Sequence, residues 1–154
     1  MPSLLDVPPV GETISRPLRA RWTRPGLPDS FRSTSEFEIL CEWVRLDASR
    51  VRNNLVCVKK HQKRLRAFGE SARRLSELPH WNQSSAFTER EKVALRLSEI
   101  ISLDKPKNLS ALIIKAAQRY FSSEEIIQLA LAVMAVNDWI DLQEKQNAVR
   151  THLL

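Results

Sequence analysis

A cysteine and a histidine four residues apart have the types and the spacing of a nucleophile and its base. Cys57 and His61 follow the pair Asn53-Asn54, and either asparagine is a favoured N-cap residue for a helix. Side chains four residues apart lie on the same side of a helix. Unpaired amides and the helix dipole in the first turn favour the thiolate form of Cys57. The pattern predicts nucleophilic chemistry at this thiol, with His61 as the base.

The residues around this pair leave an alternative open. Lys59 and Lys60 would add positive potential beside the thiol. A cysteine on a helix is, however, often a small buried apolar side chain, and a helix histidine can have a purely structural role. Two cysteines in 154 residues cannot form a disulfide framework. This cysteine usage is typical of a reducing compartment, and we expect a cytoplasmic protein.

Proline positions divide the chain into two parts. Six of the eight prolines lie within the first 28 residues, where they favour an extended backbone. We expect residues 1–33 to form a proline-rich N-terminal arm, with a short helix around Ile14–Ala20. Residues 34–154 contain two prolines and one glycine, and their apolar residues recur at helical spacing. The expected fold of 34–154 is an all-α bundle of about six helices.

Capping pairs mark three helix starts, because a serine or threonine followed three residues later by glutamate can satisfy both orphan amides. The first helix is expected to start near Ser35 and the next to end at Gly69. A later helix, capped by Asn108, would turn Leu112, Ile113 and Ala116 inward. The capping pairs are Ser35 and Glu38, Thr88 and Glu91, and Ser122 and Glu125, the last opening a helix to about Ala148.

Positive charge is concentrated in one segment. The net charge is +6, and residues 59–74 hold seven basic residues against one acidic residue. Such a patch can attract an anion or nucleic acid, but it is also typical of a solvated helix face or a subunit contact. No recognition-helix motif accompanies it, so we expect no nucleic-acid partner.

The apolar stretch 126–136 is too short to cross a bilayer, and the first residues lack a secretory pattern, so we expect no membrane association.

The segment from Glu42 to His61 resembles the active-site segment of the alkylhydroperoxidase AhpD-like, or carboxymuconolactone decarboxylase, family. That family places a glutamate before a tight turn, and then a C-x-x-C pattern with a histidine four residues after the second cysteine. Further likeness is found in Trp81 with residues 87–95, in residues 120–126 and in residues 135–139. The resemblance covers residues 36–146.

The resemblance implies a helical fold that assembles into trimers or hexamers. In the family's peroxidases the second cysteine attacks the peroxide, while a histidine and a glutamate, bridged by water, pass protons. Position by position, this implies that Cys57 is the attacking thiol, His61 the base and Glu42 the carboxylate. A small peroxide would be the substrate and an external thiol the reductant. We expect no metal ion and no cofactor.

Asn54 stands where the family has its first cysteine. Asparagine can cap a helix or donate a hydrogen bond, but it cannot form the disulfide that resolves an oxidised thiol. Cys41 is the other cysteine of the chain, and its neighbour Glu42 points about 100° away around the helix. We therefore do not expect Cys41 to resolve Cys57, whose sulfenic acid would persist until an external thiol arrives.

Four functions remain open from the sequence. The first is a peroxidase-like antioxidant enzyme that reduces peroxides at Cys57 and is recycled by an external thiol. The second is a non-catalytic family member that acts as a binding or scaffold protein. The third is decarboxylation or isomerisation of a small carboxylate by His61 and Glu42, with the basic patch holding the anion. Nucleic-acid binding ranks last, and we favour the first.

Overall fold

The computed structural model describes residues 30–103 and 111–153, with side chains from residue 36 onward. Over these residues all regular secondary structure is helical, which confirms the expected all-α class of about six helices. The predicted helix around Ile14–Ala20 and the cap at Asn108 lie outside the described residues. The helices are α1 Ser30–Val51, α2 Leu55–Ala67, α3 Ala72–Ser76, α4 Glu89–Leu103, α5 Ala111–Gln118 and α6 Ser123–Leu153, with a 3₁₀ helix at Leu78–His80.

Helix α1 is the central element, and it packs against α2, α4 and α6. Every side chain from Leu40 to Ser49 is buried except that of Arg45, which is half-buried. A main apolar cluster contains Val44 on one side of α1 together with residues of α2, α4 and α6. A second cluster, on the other side, contains Trp43. Because apolar groups cover α1 all round, its polar residues must find partners inside the protein.

Two of the predicted capping pairs form as expected, and the third does not mark a helix start. Thr88 and Glu91 exchange hydrogen bonds of 2.8 and 3.2 Å, and Ser122 and Glu125 exchange bonds of 2.8 and 3.1 Å. Helix α1 begins at Ser30, so the predicted start at Ser35 is wrong. A serine and a glutamate three residues apart are also neighbours within a helix, and nothing after Pro28 interrupts the helix.

The turn between α1 and α2 reverses the chain within a few residues. The amide of Asn53 donates to the carbonyl of Arg50, and that of Asn54 donates to the carbonyl of Ser49, both at 3.0 Å. This is the Schellman pattern of helix termination. Its left-handed position is taken by Asn53, with φ 54°, a conformation that asparagine tolerates better than most residues. The reversal lays α2 back against α1.

The last two helices differ in how much of their surface they bury. In α5 the predicted inward residues Leu112 and Ala116 are exposed, and Ala117 is the buried one, because this two-turn helix touches α4 and α6 along a narrow strip. Helix α6 runs five residues beyond the predicted end. Over the described residues, none of the helices combines the length and the apolar character needed to span a bilayer.

Candidate active site

A buried carboxylate and a buried imidazole form the centre of the candidate site. Glu42 of α1 and His61 of α2 are both almost fully buried, and Oε1 of Glu42 is hydrogen-bonded to Nδ1 of His61. They are 19 residues apart in sequence, so the tight turn at Asn53 is what brings them together. The resemblance implies a histidine and a glutamate bridged by water, whereas these two side chains are in direct contact.

Two arginines complete the surroundings of the Glu42 carboxylate. Nη1 of Arg45 lies 3.0 Å from Oε2 of Glu42, and Nη1 of Arg64 lies 3.8 Å from the same oxygen. Burial works to raise the pKa of Glu42, but the hydrogen bond to His61 and the positive charges around it outweigh burial and lower that pKa. Glu42 is therefore held as a carboxylate, a form that can orient and support the imidazole.

The Cys57 thiol lies in the first turn of α2, as the sequence predicted. Asn54 is the N-cap of this helix, and its Oδ1 accepts a hydrogen bond of 3.0 Å from the backbone amide of Cys57. Cys57 and His61 are both buried residues of α2. Four residues apart, they lie on the side of the helix that faces α1.

The predicted thiolate is wrong for the resting protein. Only 3% of Cys57 is exposed, and burial raises the pKa of its thiol despite the opposing charge of Lys60 and a hydrogen bond with Ser49. The backbone amide of Cys57, the one nearest its own side chain, is already bonded to Asn54. The thiol is therefore the resting form.

The structure pairs His61 with Glu42 and not with the thiol. Among the described residues no hydrogen bond joins Cys57 to His61, whose Nδ1 is hydrogen-bonded to Glu42.

Cys41 is a free thiol, as is Cys57, and both belong to the main apolar cluster. Burial, aided by nearby carboxylates, raises the pKa of Cys41 although Arg45 opposes it. Both environments therefore favour the neutral thiol over the thiolate.

A second buried carboxylate lies one turn and a half further along α1. Asp47 has no exposed surface, and its Oδ1 accepts a hydrogen bond of 2.8 Å from Arg50, which also reaches Glu99 of α4 at 3.1 Å. Among the described residues, its Oδ2 has no hydrogen-bond partner. Burial raises the pKa of Asp47 from 3.8 to about 6, against the pull of Arg50. This acid is not part of the Cys57 site.

Arg74 anchors the segment between α2 and α4 to the central helix. Its guanidinium is hydrogen-bonded to Glu70 at 2.8 Å and to Glu91, and it lies 5.0 Å from the ring centres of Trp43 and Phe87. Trp43 is the residue after Glu42, and its indole donates to Glu70 at 3.3 Å. The network therefore restrains α1 next to the candidate site.

The structure brings three residues to the site that were not predicted from the sequence, Arg45, Ser49 and Arg64, and it places the expected charge of Lys60 near the thiol. The spacing of Arg45 from Glu42, and of Arg64 from His61, is three residues, which places each pair on one helix face. That signal was present in the sequence. The contact of Arg64 with Glu42 joins two helices, and no spacing along one helix predicts it.

Together the fold and the site define an all-helical protein with a buried carboxylate–imidazole pair behind a capped cysteine. No family model matches the chain. It is 26% identical over 98 residues to the uncharacterized protein YdfG of Bacillus subtilis (strain 168), a match that covers 64% of this chain and 67% of YdfG.

Two solved structures share the fold. A protein of unknown function from Agrobacterium tumefaciens, described as a candidate antioxidant defence protein AhpD, superimposes with a TM-score of 0.61 and 23% identity, over 73% of this chain and 84% of that chain. The debrominase Bmp8, solved as a cysteine-to-alanine variant with 2,3,4-tribromopyrrole, superimposes with a TM-score of 0.58 and 17% identity, over 69% of this chain and 58% of that chain. At these identities the likeness is one of fold.

Proposed function

We propose that the protein is a peroxidase-like antioxidant enzyme that reduces a small peroxide at Cys57 and is recycled by an external thiol. The observation that carries this proposal is the buried pair of Glu42 and His61, behind the helix turn that holds the thiol. A buried charge is costly unless a function or a strong partner retains it. The fold shared with a candidate AhpD protein supports the same assignment.

The pair supplies a base for the thiol proton. In neutral His61 the Nδ1 proton is donated to the Glu42 carboxylate, which leaves the lone pair on Nε2. Because the resting thiol is protonated, its proton must leave as the sulfur attacks, and Nε2 accepts it directly or through a water molecule. Glu42 stabilises the imidazolium that forms, in the way an orienting carboxylate supports a histidine base.

The chemical steps balance without a cofactor. The Cys57 sulfur attacks the terminal oxygen of a peroxide R–O–OH and the O–O bond breaks, so the cysteine becomes a sulfenic acid. The alkoxide R–O⁻ takes the proton held by His61 and leaves as the alcohol R–OH. An external thiol displaces water from the sulfenic acid and forms a mixed disulfide. A second external thiol releases Cys57 and carries away the disulfide. Asn54 cannot form a disulfide and takes no part in this cycle. The first external thiol therefore performs the step that a resolving cysteine would perform.

The test is peroxide consumption by the purified protein with an excess of a small dithiol. We expect turnover that is lost in Cys57→Ser and strongly reduced in His61→Asn. Cys41→Ser is the matched control, because Cys41 has no role in the proposed cycle, and its activity should match that of the unchanged protein. Absence of turnover, or turnover that survives Cys57→Ser, contradicts the proposal.

A second candidate is a non-catalytic protein that keeps the fold as a binding or scaffold element. The raised pKa of Cys57 and its 3% exposure favour this candidate, because peroxide reduction needs an accessible thiol that can lose its proton. If Asn54→Cys folds normally and still consumes no peroxide, the remaining side chains are not arranged for the reaction and this candidate is preferred.

We also propose that the protein acts in the cytoplasm as a homo-oligomer, a trimer or a hexamer. Two buried free cysteines are typical of proteins in a reducing compartment.

Large apolar side chains are exposed along one side of α6, at Ile127, Leu131 and Met134, and burying them between subunits would stabilise an assembly. Light scattering measures the mass, and Leu131→Glu should dissociate the assembly. A monomer at all concentrations contradicts this proposal.

A further inference from the structure

Two basic side chains flank the candidate site on one face of α2. Lys60 and Arg64 are four residues apart and therefore follow one another along the helix, next to Cys57 and His61. The Lys60 ammonium lies 6.0 Å from the ring centre of Trp139 on α6. The Arg64 guanidinium lies 3.8 Å from Glu42 on α1. One positive charge thus lies toward each of the helices that pack beside the site.

The charge balance around these two side chains leaves a surplus of positive charge. Glu42 is already bound by Arg45 at 3.0 Å and by His61, so it neutralises Arg64 only weakly. Within the described parts of the chain, the ion pairs closer than 4.0 Å do not include Lys60. Like charges four residues apart on a helix repel each other. An anion placed between Lys60 and Arg64 would remove that repulsion.

The surface beside Lys60 is apolar as well as positive. The Trp139 side chain is 39% exposed, and Leu55 and Val56 at the start of α2 are more exposed still. An indole face next to an ammonium group suits a ligand with an apolar body and an anionic end. Hydrogen peroxide has neither feature, whereas an organic acid has both.

We propose that Lys60 and Arg64 form a subsite for the carboxylate of an organic substrate whose apolar body lies against Trp139. This inference rests on the proposed function and names its substrate class: hydroperoxides that carry a carboxylate, in preference to neutral ones. The subsite is formed by side chains that are available in the resting protein, because Arg64 is 51% exposed. It therefore binds carboxylates that cannot react, which separates binding from turnover.

The experiment titrates the reduced, full-length protein with phenylacetate and, separately, with phenylacetamide, its neutral counterpart. Binding is followed by NMR at the indole NH of Trp139. We expect phenylacetate to bind at least about five-fold more tightly, and Lys60→Gln and Arg64→Gln each to remove about that factor. Arg66→Gln is the matched control, since Arg66 is exposed and points away from both Lys60 and Arg64 around α2, and it should change the affinity less than about two-fold.

The outcomes separate this inference from the proposed function. Equal affinities for the two probes, no measurable binding of either, or an equal loss in Arg66→Gln would overturn the carboxylate subsite. Peroxide turnover could still be present in that case, and the proposed function would then stand. Selective phenylacetate binding without any peroxide turnover would support the subsite and count against the peroxidase.

Discussion

The side chain of Asn54 accepts a hydrogen bond of 3.0 Å from the backbone amide of Cys57. One contact therefore both begins α2 and occupies the amide closest to the thiol. A cysteine at position 54 would be a poorer cap but would place a second sulfur one helical turn from the first. Asn54 thus favours helix stability and a neutral thiol over internal disulfide chemistry.

Asn54→Cys should convert the single thiol into a pair that can resolve itself. We expect the free energy of unfolding to fall by about 1 kcal/mol from loss of the cap, and oxidation by peroxide to give a disulfide between residues 54 and 57. Mass spectrometry after alkylation detects that bond, and a dithiol assay measures turnover. Asn54→Ala is the control, since it loses the cap without gaining a thiol. A disulfide to Cys41 instead would contradict this prediction.

The Cys57 thiol should react slowly with an alkylating reagent at neutral pH. Burial raises its pKa above the ordinary thiol value, so the thiolate fraction is small and the rate should keep rising into alkaline pH. Lys60→Gln removes an opposing positive charge and should shift the rate profile to still higher pH. Lys63→Gln should leave it unchanged. A plateau already reached at neutral pH would show that the thiol is more acidic than its environment indicates.

Glu42→Gln should weaken the fold in a way that depends on pH. The pKa of Glu42 is lowered in the folded protein, so the ionised carboxylate contributes stability above its ordinary pKa, and this is lost as the pH falls through the lowered value. We expect a loss on the order of 2–4 kcal/mol at neutral pH, shrinking in acid, by urea unfolding. Glu38→Gln, an exposed glutamate one turn earlier, should show little loss at either pH.

Asp47→Asn should have the opposite pH dependence. Because the pKa of Asp47 is raised from 3.8 to about 6 on folding, its contribution is fully present below the ordinary value and is lost as the pH rises through about 6. Relative to Asp47→Asn, the unchanged protein should therefore gain about 3 kcal/mol on going from pH ~7.5 to pH ~3. Urea unfolding at both pH values measures this difference. Asp138→Asn, at an exposed position, controls for general effects, and a difference independent of pH would refute the raised pKa.

Arg74→Ala should destabilise the fold far more than the same change one residue earlier. Removing Arg74 leaves Glu70 and Glu91 without their shared partner and uncovers the ring of Trp43. We expect a loss of about 3–5 kcal/mol in the free energy of unfolding. Arg73 is 87% exposed, and Arg73→Ala should cost less than about 0.5 kcal/mol. Similar losses in both variants would show that the network contributes little.

Local signals in the sequence were sufficient for the helices and for the first turn of α2. The capping pairs at Thr88 and Ser122 depend on residues at most three apart, and they were predicted correctly. A cap at Asn53 or Asn54 was expected, and the structure uses Asn54. The start of α1 was wrongly predicted at Ser35, because a serine followed three residues later by glutamate has the same spacing inside a helix as at a helix start. The sequence was sufficient to predict that α5 is helical. It was not sufficient to predict which side of α5 is buried, because that depends on how α4 and α6 pack against it.

The amino-acid sequence determined the all-helical class and singled out the thiol and imidazole at residues 57 and 61 as candidates, since residue types and helical spacing are local properties. The carboxylate of Glu42 was implied by the family resemblance and not by spacing. Tertiary structure decided the protonation of Cys57 and the pairing of Glu42 with His61. Both depend on which groups surround an atom in space, and a thiol at a helix terminus loses its acidity when neighbouring helices exclude water and a cap takes its amide.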